Sequence, residues 1–219
     1  MPNYCFNWIE VSGPVKDLTK LVILVKGEDT ALDFNKVIPY PKDWADADKA
    51  AEDRREERAK AAEKAGYKNS NDMPEKERKA LFKKYPDLED GYNKGGYTWC
   101  HDNWGTKWNV DAEIQGTPKD EEVTYTFDSA WSPPELVVKK LAKMFPTLNF
   151  HHHYEEPGMC FEGELIIKKG KITKAECRDM PTYVCNKCSN EQCESSEADC
   201  FNCWNCGGED FTKKEEKDD

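Results

Sequence analysis

Six of the ten cysteines fall between residues 185 and 206. Four of them form two Cys-x-x-Cys pairs, Cys185 with Cys188 and Cys203 with Cys206, separated by fourteen residues. A Cys-x-x-Cys places two thiolates on one tight turn. Two such turns supply the four sulfurs of a tetrahedral Zn²⁺ site, at close to the usual spacing of a zinc ribbon. Gly207-Gly208 lets backbone amides turn toward sulfur. The expectation is one structural Zn²⁺ per chain, closed on all four sides and leaving no position for substrate. Binding the metal then amounts to folding energy for a segment too short to build its own core. Cys193 and Cys200 are surplus. Because Cys200-x-x-Cys203 repeats the spacing, a shifted ligand set is an alternative, and six thiolates suffice for a larger cluster.

Other residues offer weaker chemistry. His151 and His153 alternate onto one face of an expected strand, and with Glu155 they supply donors for a metal, although spacing fixes no third ligand. Cys5, Cys100, Cys160 and Cys177 are scattered and read as free buried thiols. Trp99, Trp104, Trp108 and Trp131 read as residues packed between sheet and helix, with an exposed aromatic patch as the alternative. No Gly-rich phosphate loop, Gly-x-Ser-x-Gly elbow or nucleophile with its base is present, so no catalytic residue is expected.

Charge and hydropathy narrow the partners. The net charge is −11, with eleven acids and five bases in residues 178–219. That disfavours nonspecific nucleic-acid binding, which needs Lys and Arg to displace counterions. A solvated acidic tail is the plain reading, and an acidic surface that imitates nucleic acid is the sharper one. The longest apolar run, Leu21 to Val25, is far too short to span a bilayer. The first residues lack the pattern of a signal peptide, so a cytoplasmic protein is expected.

The elements that must position these residues follow from periodicity. Tyr4 to Ser12 reads as a strand ended by Gly13-Pro14. Leu18, Leu21, Val22 and Val25 mark one face of a helix over 15–26, with Gly27 to end it. A second strand is expected over 31–38. Residues 42–94 carry 14 acids and 14 bases. They read as an inserted, solvated helical arm, with a partner-binding arm as the alternative and a second helix at 74–85 capped by Asp72. Strands are expected at 106–115 and 123–128. A helix capped by Ser132 runs to Phe145, followed by strands near 148–155, 159–168 and 171–177. The order is β-α-β, arm, β-β-α-β-β-β. Its class is α+β, a ferredoxin-like mixed or antiparallel sheet with helices on one face.

Five stretches sharpen this. They are Met1-Pro2-Asn3-Tyr4-Cys5-Phe6-Asn7 with Ser12-Gly13; Asp33-Phe34-Asn35 with Ile38-Pro39 and Pro41; Asn103-Trp104-Gly105-Thr106-Lys107-Trp108; Phe127-Asp128-Ser129-Ala130-Trp131-Ser132-Pro133-Pro134; and Glu156-Pro157-Gly158 with Phe161 and Gly163. In this order they resemble the YubB-type ferredoxin-like family of bacteriophage and plasmid proteins, over about residues 1–41 and 95–177. The resemblance implies a ferredoxin-like fold and a mobile-element origin, and transfers no catalytic residues. The expected organisation is a ferredoxin-like domain over 1–177 with a helical insertion at 42–94, a zinc ribbon over 178–210, and a disordered acidic tail over 211–219. The expected function is that of a non-enzymatic phage or plasmid accessory protein that binds a host or defence-system protein, for example a CRISPR-type nuclease. The alternative is a nucleic-acid-binding module using the sheet and the ribbon.

Overall fold

A computed structural model describes residues 3–195 and 201–214 of the 219-residue chain. The chain divides into two compact units, one comprising residues 1–38 and 101–219 and the other Pro39–Cys100.

The first unit is organised by β1 (Tyr4–Ser12), whose burial alternates strictly. Cys5, Asn7, Ile9 and Val11 point into the core, leaving Tyr4, Phe6, Trp8 and Glu10 on the opposite face. β1 lies between β3 (Glu122–Ala130) and β4 (Asn149–Glu156) in a six-stranded sheet of order β2-β3-β1-β4-β5-β6. The outer strands are β2 (Glu113–Thr117), β5 (Phe161–Lys168) and β6 (Lys171–Asp179), and every neighbouring pair is antiparallel. Two helices, α1 (Val15–Val25) and α6 (Glu135–Met144), bury Leu18, Leu21 and Val25, and Val137, Val138, Leu141 and Ala142. Reading β1-α1-β2-β3-α6-β4 against the spatial order 2-3-1-4 gives the split β-α-β arrangement of a ferredoxin-like domain. β5 and β6 extend it as a meander.

Three local expectations are corrected. Residues 31–38 form no strand; Phe34–Val37 is a one-turn helix, α2. Asp33 caps it by accepting from the Asn35 amide, and the Asn109 side chain bonds both Asp33 and the Phe34 amide. Phe34 and Val37, spaced i and i+3, are buried together, Phe34 edge-on to Phe127 and Trp104. The strand that completes the β-α-β unit is β2, later and shorter than the expected 106–115. Residues Tyr97–Trp104 just before that stretch form a helix, α5. Ser132 caps nothing: its hydroxyl donates to the Gly105 carbonyl, and α6 starts behind Pro134.

The second unit, Pro39–Cys100, contains α3 (Lys42–Lys64) and α4 (Glu75–Lys84). As expected from its composition, α3 buries little, only Ala51, Arg58 and Ala62. A small core joins Ala62 to Met73 and Leu81, with Tyr67 and Tyr85 packed against it. The Arg58 guanidinium lies over the Phe82 ring at 4.4 Å and pairs with Asp87. Asp72 does not cap α4; it ends a short 3₁₀ turn that is itself capped by Asn69.

After β6 the chain builds a three-stranded sheet of order β8-β7-β9, from β7 (Thr182–Cys185), β8 (Glu191–Cys193) and β9 (Phe211–Lys213). β9 falls in the stretch expected to be a disordered tail; residues 215–219 of that tail lie outside the described residues. Among the described residues no helix is long and apolar enough to cross a membrane.

Candidate metal centre

Two turns of the same construction face each other at the end of the small sheet. In the first, which links β7 to β8, the Ser189 amide donates to the Cys185 carbonyl and the Cys185 amide donates to the Asn190 carbonyl. In the second, Gly207 donates to Cys203 and Cys203 donates to Gly208 in the same pattern. Each turn closes on a left-handed residue, Ser189 at φ 59° and Gly207 at φ 67°. The amides two residues beyond the second cysteines, of Asn190 and Gly208, bond the sulfurs of Cys188 and Cys206.

The turns bring Cys185, Cys188, Cys203 and Cys206 together, with all four Sγ atoms within 4.8 Å of one another. Two of the separations are 3.6 Å, Cys185 to Cys206, and 3.5 Å, Cys188 to Cys203. A zinc–sulfur bond of about 2.3 Å implies tetrahedron edges of roughly 3.8 Å, so the cluster has the size a thiolate-bound ion requires. Bonds from the Asn190 amide and the Asn205 side chain bring the Cys188 thiol down to about 6. At Cys206 the Gly208 amide favours the thiolate, but the adjoining Cys188 thiol, burial and the Cys185 and Cys203 thiols push it up to about 12. Four thiols this close lose their protons one after another, because each thiolate opposes the next. A divalent cation removes that opposition. The four cysteines can therefore hold a metal ion, and soft tetrahedral sulfur donors suit Zn²⁺.

Cys193 is no spare ligand. It forms a disulfide with Cys160, their Cα atoms 5.5 Å apart. This corrects the expectation that Cys160 is a free buried thiol. The two cysteines lie 33 residues apart, and nothing in their spacing announces the bond. Cys200, the other surplus cysteine, lies outside the described residues. Cys5 and Cys100 are buried as expected, and burial raises their thiols to about 12 and about 11. Cys177 is exposed.

The three histidines do not converge on a metal site. His151 and His153 lie on the open face of the sheet. His151 has one ring nitrogen 3.5 Å from Glu10 and the other 3.3 Å from Glu164, while His153 packs against Trp8 at 5.6 Å. His152 faces the core, with Nε2 2.9 Å from Asn7 Oδ1 and Nδ1 without a partner. Burial, then the neighbouring His153 and His151, hold its imidazole down to about 3.

The tryptophans divide. Trp104 is buried and donates to the Ile38 carbonyl. Trp108 and Trp131 are exposed, with the Lys107 ammonium over the Trp131 ring. Trp204, between the two cysteines of the second turn, is 62% exposed.

The open face was not legible in the sequence. Tyr4, Phe6 and Trp8 line up along β1, and Phe6 is directly opposite Asp128 on β3 and Glu155 on β4. The alternation of β1 was visible, but aromatic residues sit on one parity and Cys5, Asn7, Ile9 and Val11 on the other. Ile9 and Val11 settle which parity goes inward.

Comparison with family models agrees with this architecture. A family model described as "Ferredoxin-like domain in Api92-like protein" matches residues 103–192, from the end of α5 into β8. The crystal structure of a protein api92 from Yersinia pseudotuberculosis aligns with a TM-score of 0.45 and 15% sequence identity, over 80% of this chain and 98% of that one. No curated protein matches the chain. Residues 103–192 thus belong to a ferredoxin-like domain similar to that of Api92-like proteins.

Proposed function

We propose that the chain is a non-enzymatic binding protein that holds one structural Zn²⁺ and whose partner is another protein. The observation that carries this reading is the closed cluster of four thiols. Four sulfurs fill a tetrahedral zinc, leaving no position at which water or substrate is activated. The metal then serves to fold a ribbon, and the ribbon displays Trp204 on its tip. The YubB-type resemblance supports a phage or plasmid origin and action in the cytoplasm of the host. The net charge of −11 suits a partner with a basic surface, such as a host or defence-system nuclease that handles nucleic acid.

Affinity capture from host lysate at moderate salt tests the reading. A protein enriched by the zinc-loaded chain, and lost when the metal is stripped or Trp204 is changed to Ala, is the expected result. Capture of no protein would end it.

One observation favours a second reading. Tyr4, Phe6 and Trp8 lie on a central strand of the open face, where ferredoxin-like RNA-binding domains stack bases. Salt-sensitive retardation of a single-stranded oligonucleotide in a gel would support it.

A further inference from the structure

We infer that the open face of the six-stranded sheet is a docking surface for a lysine- and arginine-rich protein segment, with Phe6, Asp128 and Glu155 forming the cradle for one cationic side chain. The inference rests on the protein-partner reading above and names the surface and the chemistry of that partner.

Register builds the cradle. Phe6 on β1 is directly opposite Asp128 on one side and Glu155 on the other. Cross-strand neighbours are about 5 Å apart, so a cation over the ring meets a carboxylate on each flank. Phe6 and Tyr4 are 38% and 44% exposed, large apolar areas to leave in water on a sheet face. Among the described residues neither Asp128 nor Glu155 forms an ion pair with a lysine or arginine. Burial raises both carboxyls above the ordinary range; at Glu155 the nearby His153 and a Ser195 hydrogen bond work the other way, and Glu162 and Glu194 with the burial. Partly dehydrated carboxylates without a cation gain by acquiring one.

The wider face has the same sign. Two of its bases are already engaged, Lys174 with Glu164 and Glu176, and Arg178 with Glu162, while Lys168 lies at the far end of the face, beside Glu10 and His151. Glu10 continues the β1 row beyond Trp8. A phosphate backbone would meet carboxylates here, which is why charge selects a basic peptide over nucleic acid. An extended segment also repeats its side chains at the same two-residue spacing as Tyr4, Phe6 and Trp8.

The test is fluorescence anisotropy of a short labelled peptide of alternating arginine and serine, beside an acidic peptide and a single-stranded RNA. The basic peptide should bind the full-length chain in a salt-sensitive way. Phe6→Ala and, separately, the near-isosteric Asp128→Asn should each weaken it roughly fivefold or more, as truncation of an interface anchor does. Glu57→Gln, in the insertion, should change nothing. Equal binding by all four proteins, or no binding, would overturn the cradle, as would RNA binding that is lost in Phe6→Ala. Repeating the lysate capture with Asp128→Asn separates the two claims. A partner captured equally by both proteins sinks the cradle and leaves the protein-partner reading. Capture of nothing by either sinks that reading, while the peptide result still decides the cradle.

Discussion

Ser189 and Gly207 occupy the same place in the two cysteine turns: each has a left-handed backbone, and each donates its amide to the carbonyl of the first cysteine of its pair. Only glycine adopts that backbone without steric cost. The second turn therefore has the residue its geometry favours, and the first does not.

Opposite effects follow for the two positions. A Cβ at Gly207 meets nothing within 4 Å, so Gly207→Ala is opposed by the backbone alone, at about 1 kcal/mol. Competition with a zinc chelator should show the affinity falling roughly fivefold. Ser189→Gly should leave the affinity unchanged or raise it. A loss at Ser189 as large as that at Gly207 would mean the shared construction is not what positions the sulfurs.

Metal content is a direct measurement. Purified protein should hold close to one Zn²⁺ per chain, and Cys203→Ser should abolish it. Amide exchange in β7 and β8 should accelerate in that variant while β1, β3 and β4 stay protected, because their burial owes nothing to the cluster. A folded ribbon that binds no metal would remove the basis for a structural zinc.

Alternation located β1 and β3, and 3.6-residue spacing located α1 and α6, because each element buries one face only. The clustering of Cys185, Cys188, Cys203 and Cys206 was legible because Cys-x-x-Cys chemistry is local. The strand expected at 31–38 failed for a tertiary reason: the Asp33 cap and the clamp from Asn109, 76 residues away, turn Phe34–Val37 into a helix. β2 carries little apolar signal, with Ile114 its one large apolar residue: all five residues are exposed, and among the described residues its strand partner is β3. The Cys160–Cys193 bond depends on where the small sheet meets the large one, which no spacing encodes.

That bond predicts a redox-dependent stability. It closes a 33-residue span, for which the chain-entropy view gives about 3–4 kcal/mol. Without reductant, Cys160→Ser should melt below the wild type. With reductant the two should converge. A wild-type chain that titrates ten free thiols after denaturation in chelator, with no reductant added, would contradict the bond.

The insertion has its own sensitive point. A Cβ at Gly91 would run into the Trp44 carbonyl oxygen, so the backbone must move to admit it. Gly91→Ala should destabilise the 39–100 unit by about 1–3 kcal/mol, read as faster amide exchange in α3 and α4. Unchanged exchange there would show that the approach of Gly91 to Trp44 is not tight.

His152 should make the large sheet sensitive to acid. Asn7 donates through its amide nitrogen to the Cys5 carbonyl and the Ser129 hydroxyl, so its oxygen accepts from His152 Nε2. The imidazole is then neutral, with Nδ1 a bare acceptor in the core. Its folded value, down at about 3, lies below the ordinary 6.5. Between those values the unfolded chain binds a proton that the folded chain does not, so stability falls as pH falls below 6.5, by up to about 1.4 kcal/mol per pH unit. Above 6.5 this contribution is constant. Denaturant titrations from pH 7 to pH 4 should show that slope in the wild type. In His152→Gln, which keeps a donor for Asn7 but cannot titrate, the slope should be shallower by that amount. Parallel profiles for the two proteins would place the acid sensitivity elsewhere.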